Sequence, residues 1–149
     1  MTRLPWVALV ATVALVASGS APARQPASSA YYASVIELLF SSQFGKEWQT
    51  LHPAQQRYVS RARFVDCANQ VPLEQLERVD ILSNRPSPRG RIPGTSVSAT
   101  GRSITYAVTL DDATTLTYTS QAYKVAGRWR WTMDAAEIGA FKAGRCPDS

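Results

Sequence analysis

Histidine occurs once in this 149-residue chain and cysteine twice, and the common catalytic signatures are missing. A single imidazole, His52, cannot build a metal site of two or three histidines. Cys67 and Cys146 form no Cys-x-x-Cys pair and have no histidine beside them. No metal and no other cofactor is therefore expected. No Gly-x-Ser-x-Gly turn is available to expose a nucleophilic serine, so no catalytic residue can be named from a motif. No internal repeat is present, and the one long apolar run, Trp6 to Ala17, covers 12 residues where a membrane-crossing helix needs ~20. Acidic side chains are the scarcer charge, with 11 Asp and Glu against 16 Lys and Arg. That excess is too mild to indicate nucleic acid as a partner, and implies at most a weak attraction to anionic head groups and a place near a membrane surface.

What the N-terminus does contain is a three-part export signal. Arg3 is followed by the apolar run and then by small residues ending in Ala21-Pro22-Ala23. Cleavage is expected after Ala23, and the lack of any cysteine there argues against a lipid anchor. Removing residues 1–23 takes away one charge, Arg3, and leaves 126 residues with a net charge of +4, a length that suits one domain with one core. Residues 24–29 read as a short Pro, Ala and Ser tether, and 30–149 as the domain. Two cysteines in an oxidising compartment are expected to pair with each other, Cys67 with Cys146.

Along the domain the hydrophobic period is first helical. Tyr32, Val35, Ile36, Leu39, Phe40 and Phe44 predict a helix over about 30–43 that Gly45 ends. Trp48 and Leu51 belong to a second helical piece, interrupted at His52-Pro53 and resumed over 54–59, with Pro53 at a first helical position. Ser60 caps a third helix that turns Phe64 and Cys67 inward and closes by Pro72. Val79 to Leu82 looks like strand, and the Pro and Gly cluster from Arg85 to Gly94 predicts a long exposed loop. Ile104, Tyr106, Val108 and Leu110 alternate with polar or small residues, Asp111-Asp112-Ala113 makes a turn, residues 114–125 form a second strand, and 128–133 a third after Ala126-Gly127. On that last strand Trp129, Trp131 and Met133 share the core face. A short helix within 135–144 would bring Cys146 back to the third helix. The fold class is α+β, with N-terminal helices on a curved antiparallel sheet.

The run Trp48-Gln49-Thr50-Leu51-His52-Pro53-Ala54-Gln55-Gln56, followed by Val59-Ser60 and Phe64-Val65-Asp66-Cys67, resembles the helical half of small secreted bacterial members of the nuclear transport factor 2-like superfamily. Gly127-Arg128-Trp129-Arg130-Trp131 is similar to their closing strand. The resemblance covers about residues 30–146. It implies a cystatin-like cone in which a bent sheet and helices enclose a pocket, and pairing of two copies through the open sheet face, hence a homodimer. It implies no activity, because the superfamily holds enzymes, ligand binders and interaction modules.

The candidate pocket residues are the aromatics Tyr32, Trp48, Tyr106, Tyr118, Trp129 and Trp131, which could equally fill the core. Arg85, Arg89 and Arg91, with Arg102 just beyond, form a candidate loop for an anionic partner. Asp111 and Asp112 are assigned to turn formation, His52 to a helix end or the surface, and Asp80, Asp134 and Glu137 to element ends, so no acid is expected on the face that carries the tyrosines. The resulting expectation is a non-catalytic exported domain, secreted or in the cell envelope, that binds a small apolar ligand or an envelope protein. The alternative is an isomerase- or dehydratase-like enzyme with a buried acid or histidine in the cone. Protease inhibition through exposed hairpins is a third reading by fold analogy.

Overall fold

The computed structural model describes residues 27–148, so the export signal and its cleavage site lie outside the described residues. Helix α1, Ala27–Phe40, starts earlier than the sequence implies and absorbs the end of the expected tether. Ser28 and Ser29 are buried there because both hydroxyls accept hydrogen bonds from Asn84 Nδ2, at 2.8 and 2.7 Å. The helix ends before Gly45. Ser42 takes the left-handed conformation (φ 56°), its N–H donates to Leu39 O and that of Gln43 to Leu38 O, the paired bonds of a Schellman turn.

Gly45 lies instead inside α2, Phe44–Thr50. Helix α3, Pro53–Gln56, has Pro53 in its first turn and is capped by His52, whose Nδ1 accepts from Ala54 N. Helix α4, Arg61–Ala68, is capped by Ser60 and turns Phe64 and Cys67 into the core. After the sheet, α5, Ala135–Lys142, opens with a reciprocal capping box between Asp134 and Glu137. It closes at Gly144 (φ 71°), which swings the chain back so that Cys146 bonds Cys67. That crosslink spans 79 residues, a loop whose closure removes about 4.5 kcal/mol of unfolded-chain entropy.

The sheet is antiparallel throughout in the order β1-β2-β3-β4, with β1 Leu76–Arg91, β2 Ser98–Leu110, β3 Thr115–Val125 and β4 Arg128–Trp131. The expected loop at 85–94 is therefore corrected: through Arg91 it is strand, and Arg85, Arg89 and Arg91 are strand residues. Pro86 and Pro88 are tolerated because β1 is an edge strand and a missing N–H there breaks no second ladder. Three register shifts, between Leu76/Arg78, Ile81/Ser83 and Ser87/Gly90, bend this edge and curve the sheet. The β1–β2 connection is not loose either, since Ile92 and Thr95 are buried.

Helices lie on the concave face, where Ile104, Tyr106, Val108 and Leu110 of β2 are all buried. Gln55 joins the two layers. It is fully buried, Nε2 donates to Pro93 O and Met133 O (both 3.0 Å), and Oε1 accepts from Met133 N (2.9 Å). Replacing Gln55 with alanine strands three backbone groups, of which the two of Met133 are buried and cost about 1–3 kcal/mol each, so Gln55→Ala should cost at least ~2 kcal/mol and lower Tm by on the order of 10 °C. Urea and thermal unfolding followed by tryptophan fluorescence read both.

Candidate functional site

The concave surface of the sheet is longer than the helices that cover it. On β3 the residues opposite Val108 and Tyr106 are Leu116 and Tyr118, and both are exposed. Between α1, α4, α5 and this part of the sheet lies a cavity of about 650 Å3. Its walls are mainly apolar: Val35 and Ile36 from α1, Phe64 from α4, Val108 from β2, and Trp131 and Met133 at the end of the sheet. Exposed lining residues Val71, Tyr118 and Asp148 mark its opening.

A ladder of tyrosines crosses one wall. Tyr32 and Tyr106 have ring centroids 5.3 Å apart, and Tyr106 stacks on Tyr118 at 5.6 Å. Burial pushes the Tyr32 hydroxyl well above the ordinary phenol range and raises that of Tyr106, and the nearby Ser120 hydroxyl pulls each part of the way back. Both phenols are therefore neutral donors at any physiological pH.

Glu47 also lines the cavity, with 5% of its surface exposed. Its position is set by Trp131, whose Nε1 donates to Glu47 O (3.2 Å) and to Thr50 Oγ1 (3.1 Å), while Thr50 Oγ1 donates to the same carbonyl. Glu47 Oε2 is buried and has no hydrogen-bond partner. Burial, and secondarily the charge of Glu137, pushes its carboxyl up to about 8, so at neutral pH it is a carboxylic acid with a proton to donate. Glu137 lines the same cavity. Its carboxyl is pushed up by burial, while the bond from Asp134 N to its Oε2 (2.7 Å) pulls it down. The charge of Glu137 also contributes, as the smallest of several influences, to raising Tyr106.

The expectation placed no acid on the strand face that carries the tyrosines, and these two acids enter the same cavity from helices α2 and α5 instead. Glu47 stands three residues after Phe44 and four before Leu51, both buried, and so on the apolar stripe of its helix. That spacing was the available signal, masked by its polar neighbours Lys46 and Gln49. Glu137 was placed near an element end, and the α5 cap holds its carboxyl through the bond from Asp134 N.

Of the six candidate aromatics, Tyr32, Tyr106, Tyr118 and Trp131 line the cavity. Trp48 does not: it packs beside the core with Nε1 donating to Val59 O (3.0 Å). Trp129 lies at the far end of the sheet, with Lys124 Nζ 5.9 Å from its ring centre. His52 caps a helix as expected, but beneath the surface, with its ring edge-on to Tyr123, and burial and then Arg130 hold it below the usual histidine range. Asp111 and Asp112 form the β2–β3 turn, where Asp112 accepts from Thr114 N and Thr114 Oγ1. No protein-family model matches the chain, and no curated protein matches it either.

The Glu47 assignment fixes a stability profile. Between about 4.5 and about 8 the folded chain retains a proton that the unfolded chain has released. The stability this group contributes is fully present below pH 4.5 and is lost progressively as pH rises to about 8. Glu47→Gln should flatten most of that slope and be more stable than the parent at pH 9 by up to about 4 kcal/mol. Parallel slopes for the two proteins in urea unfolding at pH 5, 7 and 9 would contradict the assignment.

Proposed function

We propose that this chain is an exported, small-molecule-binding domain of the nuclear transport factor 2-like superfamily, and that its cone takes a compact, mainly apolar, uncharged ligand with one hydrogen-bond acceptor. The observation that carries this reading is Glu47 Oε2, buried without a partner in the wall of an apolar cavity. An unpaired polar atom in such a place costs about 1–3 kcal/mol. A ligand carbonyl or ether oxygen accepting from the neutral acid recovers that energy, and Tyr118 offers a ring face at the entrance. A volume of about 650 Å3 falls in the range of ordinary ligand pockets. An anion is disfavoured because Glu137 and Asp148 also line the space. Export is supported by the sequence signal and by the Cys67–Cys146 bond, a crosslink suited to an oxidising compartment. The cavity favours a small ligand over an envelope protein as the occupant of this site.

A second reading, acid-base chemistry of the isomerase or dehydratase kind, is favoured by one feature. Two carboxyls of unequal proton affinity face the same space beside neutral tyrosine hydroxyls, an arrangement that can give a proton at one point of a substrate and take one at another.

A panel of neutral aromatic ketones, lactones and ethers, read by quenching of tryptophan fluorescence, tests the first reading. Binding should weaken about tenfold per pH unit above pH 8 as Glu47 ionises. Glu47→Ala should weaken it at least tenfold, whereas Glu47→Gln, which keeps a donor, should bind with no pH dependence in that range. Ligands that bind equally well to all three proteins at all pH values would remove Glu47 from the site. Turnover of a bound ketone or β-hydroxy ketone, followed by NMR and lost in Glu47→Gln, would establish the second reading.

A further inference from the structure

Strand β3 is paired on both sides for only part of its length. On one side it meets β2 from Thr115 to Tyr123 without a register shift, but on the other β4 stops at the pair Ala122–Trp131. Ala126 and Gly127 both have positive φ (47° and 79°), so they form a two-residue type I′ hairpin in which Val125 and Arg128 exchange backbone hydrogen bonds. Counting back by twos along β3, Thr119, Thr117 and Thr115 direct their N–H and C=O groups to the side that β4 has left. The other hairpin agrees. Leu110 N donates to Thr114 O (2.9 Å), so the even-numbered residues of β3 are the ones that bond β2. Residues 115–119 are all exposed.

The two edges of the sheet are built differently. Strand β1 carries two prolines, three register shifts and the charges of Arg78, Asp80, Arg85, Arg89 and Arg91, devices that keep a strand edge from recruiting another chain. The open run of β3, Thr-Leu-Thr-Tyr-Thr-Ser-Gln, has no proline, no charge and no bulge. Hydroxyl bonds Thr105–Thr119 (3.0 Å) and Thr109–Thr115 (3.3 Å) brace it against β2, so its outward backbone groups are already aligned for an extended chain.

The surrounding charge selects the kind of chain. Asp111 and Asp112 form the turn that leads into β3. The cavity lined by Tyr118, Thr119 and Ser120 also has Asp134, Glu137 and Asp148 in its wall, and no lysine or arginine. We propose that the open edge of β3 takes an extended basic peptide as an added strand, with a lysine or arginine side chain on the Tyr118 side, at the cavity opening. Asp134 and Asp148 are exposed, so they meet that cation at the opening rather than beside the neutral Glu47, and the Tyr118 ring offers it a face. Gln121 Oε1, buried without a partner at the inner end of the same run, is a further acceptor. A second copy of the chain fits this edge less well. Pairing two copies so that Thr115 meets Thr119 and Thr117 meets itself would bring each Asp112 opposite Ala122, a place that Trp131 already holds. The inference concerns a strand edge and does not depend on what fills the interior of the cone.

The test is binding of the labelled, end-blocked peptide Thr-Val-Thr-Arg-Thr-Val-Thr to the protein, read by fluorescence anisotropy. With the arginine on the Tyr118 side, the N–H groups of its threonines face β3 and those of its valines face solvent. N-methylation of the two threonines beside the arginine should therefore weaken binding at least about tenfold, and N-methylation of the two valines less than about threefold. Glutamate in place of the arginine should weaken it at least about tenfold. The Thr117 N–H points outward, so Thr117→Pro leaves the β2 ladder intact and should weaken binding about fivefold with Tm within a few degrees of the parent. If that variant melts early, the two N-methylated peptides decide without it. Equal effects of the two N-methylations, or tighter binding of the glutamate peptide, would overturn the proposal, as would no binding of the arginine peptide at about 1 mM. A dimer of the protein that dissociates in Thr117→Pro, with no peptide bound by the parent, would assign the edge to a second copy instead.

Discussion

Trp131 Nε1 donates to Glu47 O and Thr50 Oγ1, and these two bonds determine how α2 lies against the sheet. The same residue uses its backbone on the other side. Its N–H donates to Tyr31 Oη, its carbonyl accepts from His52 N, and Tyr31 Oη donates in turn to Thr50 O. Four elements, α1, α2, β4 and the segment leading into α3, are thereby held around one indole that also packs against Phe64. Glu47 belongs to the turn of α2 that this network holds, so the acid points into the cavity as a consequence of the fold's own fastening. Tilting α2 to free the acid would break bonds at Glu47 and Thr50 together.

A carboxyl in that position is destabilising when ionised, and nothing among the described residues compensates for it. The only charged neighbour raising its proton affinity is another acid, Glu137, which is itself held by the α5 cap. A core built for stability alone would place a leucine or methionine at position 47, since burying an unpaired polar atom costs more than filling the space with methyl groups. The cavity and the unpartnered oxygen are thus two features that core packing by itself does not explain. Gln55, by contrast, is a buried polar side chain with both its amide groups satisfied, and its role is structural.

Helical periodicity made α1 and α4 legible because their apolar stripes face one core and Ser60 announces a cap. Strict alternation made β2 legible for the same reason. The Cys67–Cys146 bond followed from compartment and count, and its geometry from the return of the chain at Gly144. Three features were not legible. Strand β1 carries two prolines, and their compatibility with strand depends on β1 being an edge, which only the tertiary arrangement decides. The end of α1 falls at Ser42 rather than at glycine, because two backbone hydrogen bonds there outweigh the strain of a left-handed serine. The pocket depends on how far β3 extends past the helices, a difference in element lengths in space that no local pattern of residues records. Trp129 shows the same limit: it shares a strand face with Trp131, yet the face continues beyond the cavity to the other end of the sheet.

Asp111 and Asp112 cap one end of the sheet, and Asp148, Glu47 and Glu137 line the cavity, so the field within the cone repels anions. Keeping Glu47 neutral reduces that field but also withdraws a charge that would attract cations, which leaves uncharged molecules as the class the cavity accommodates at least cost.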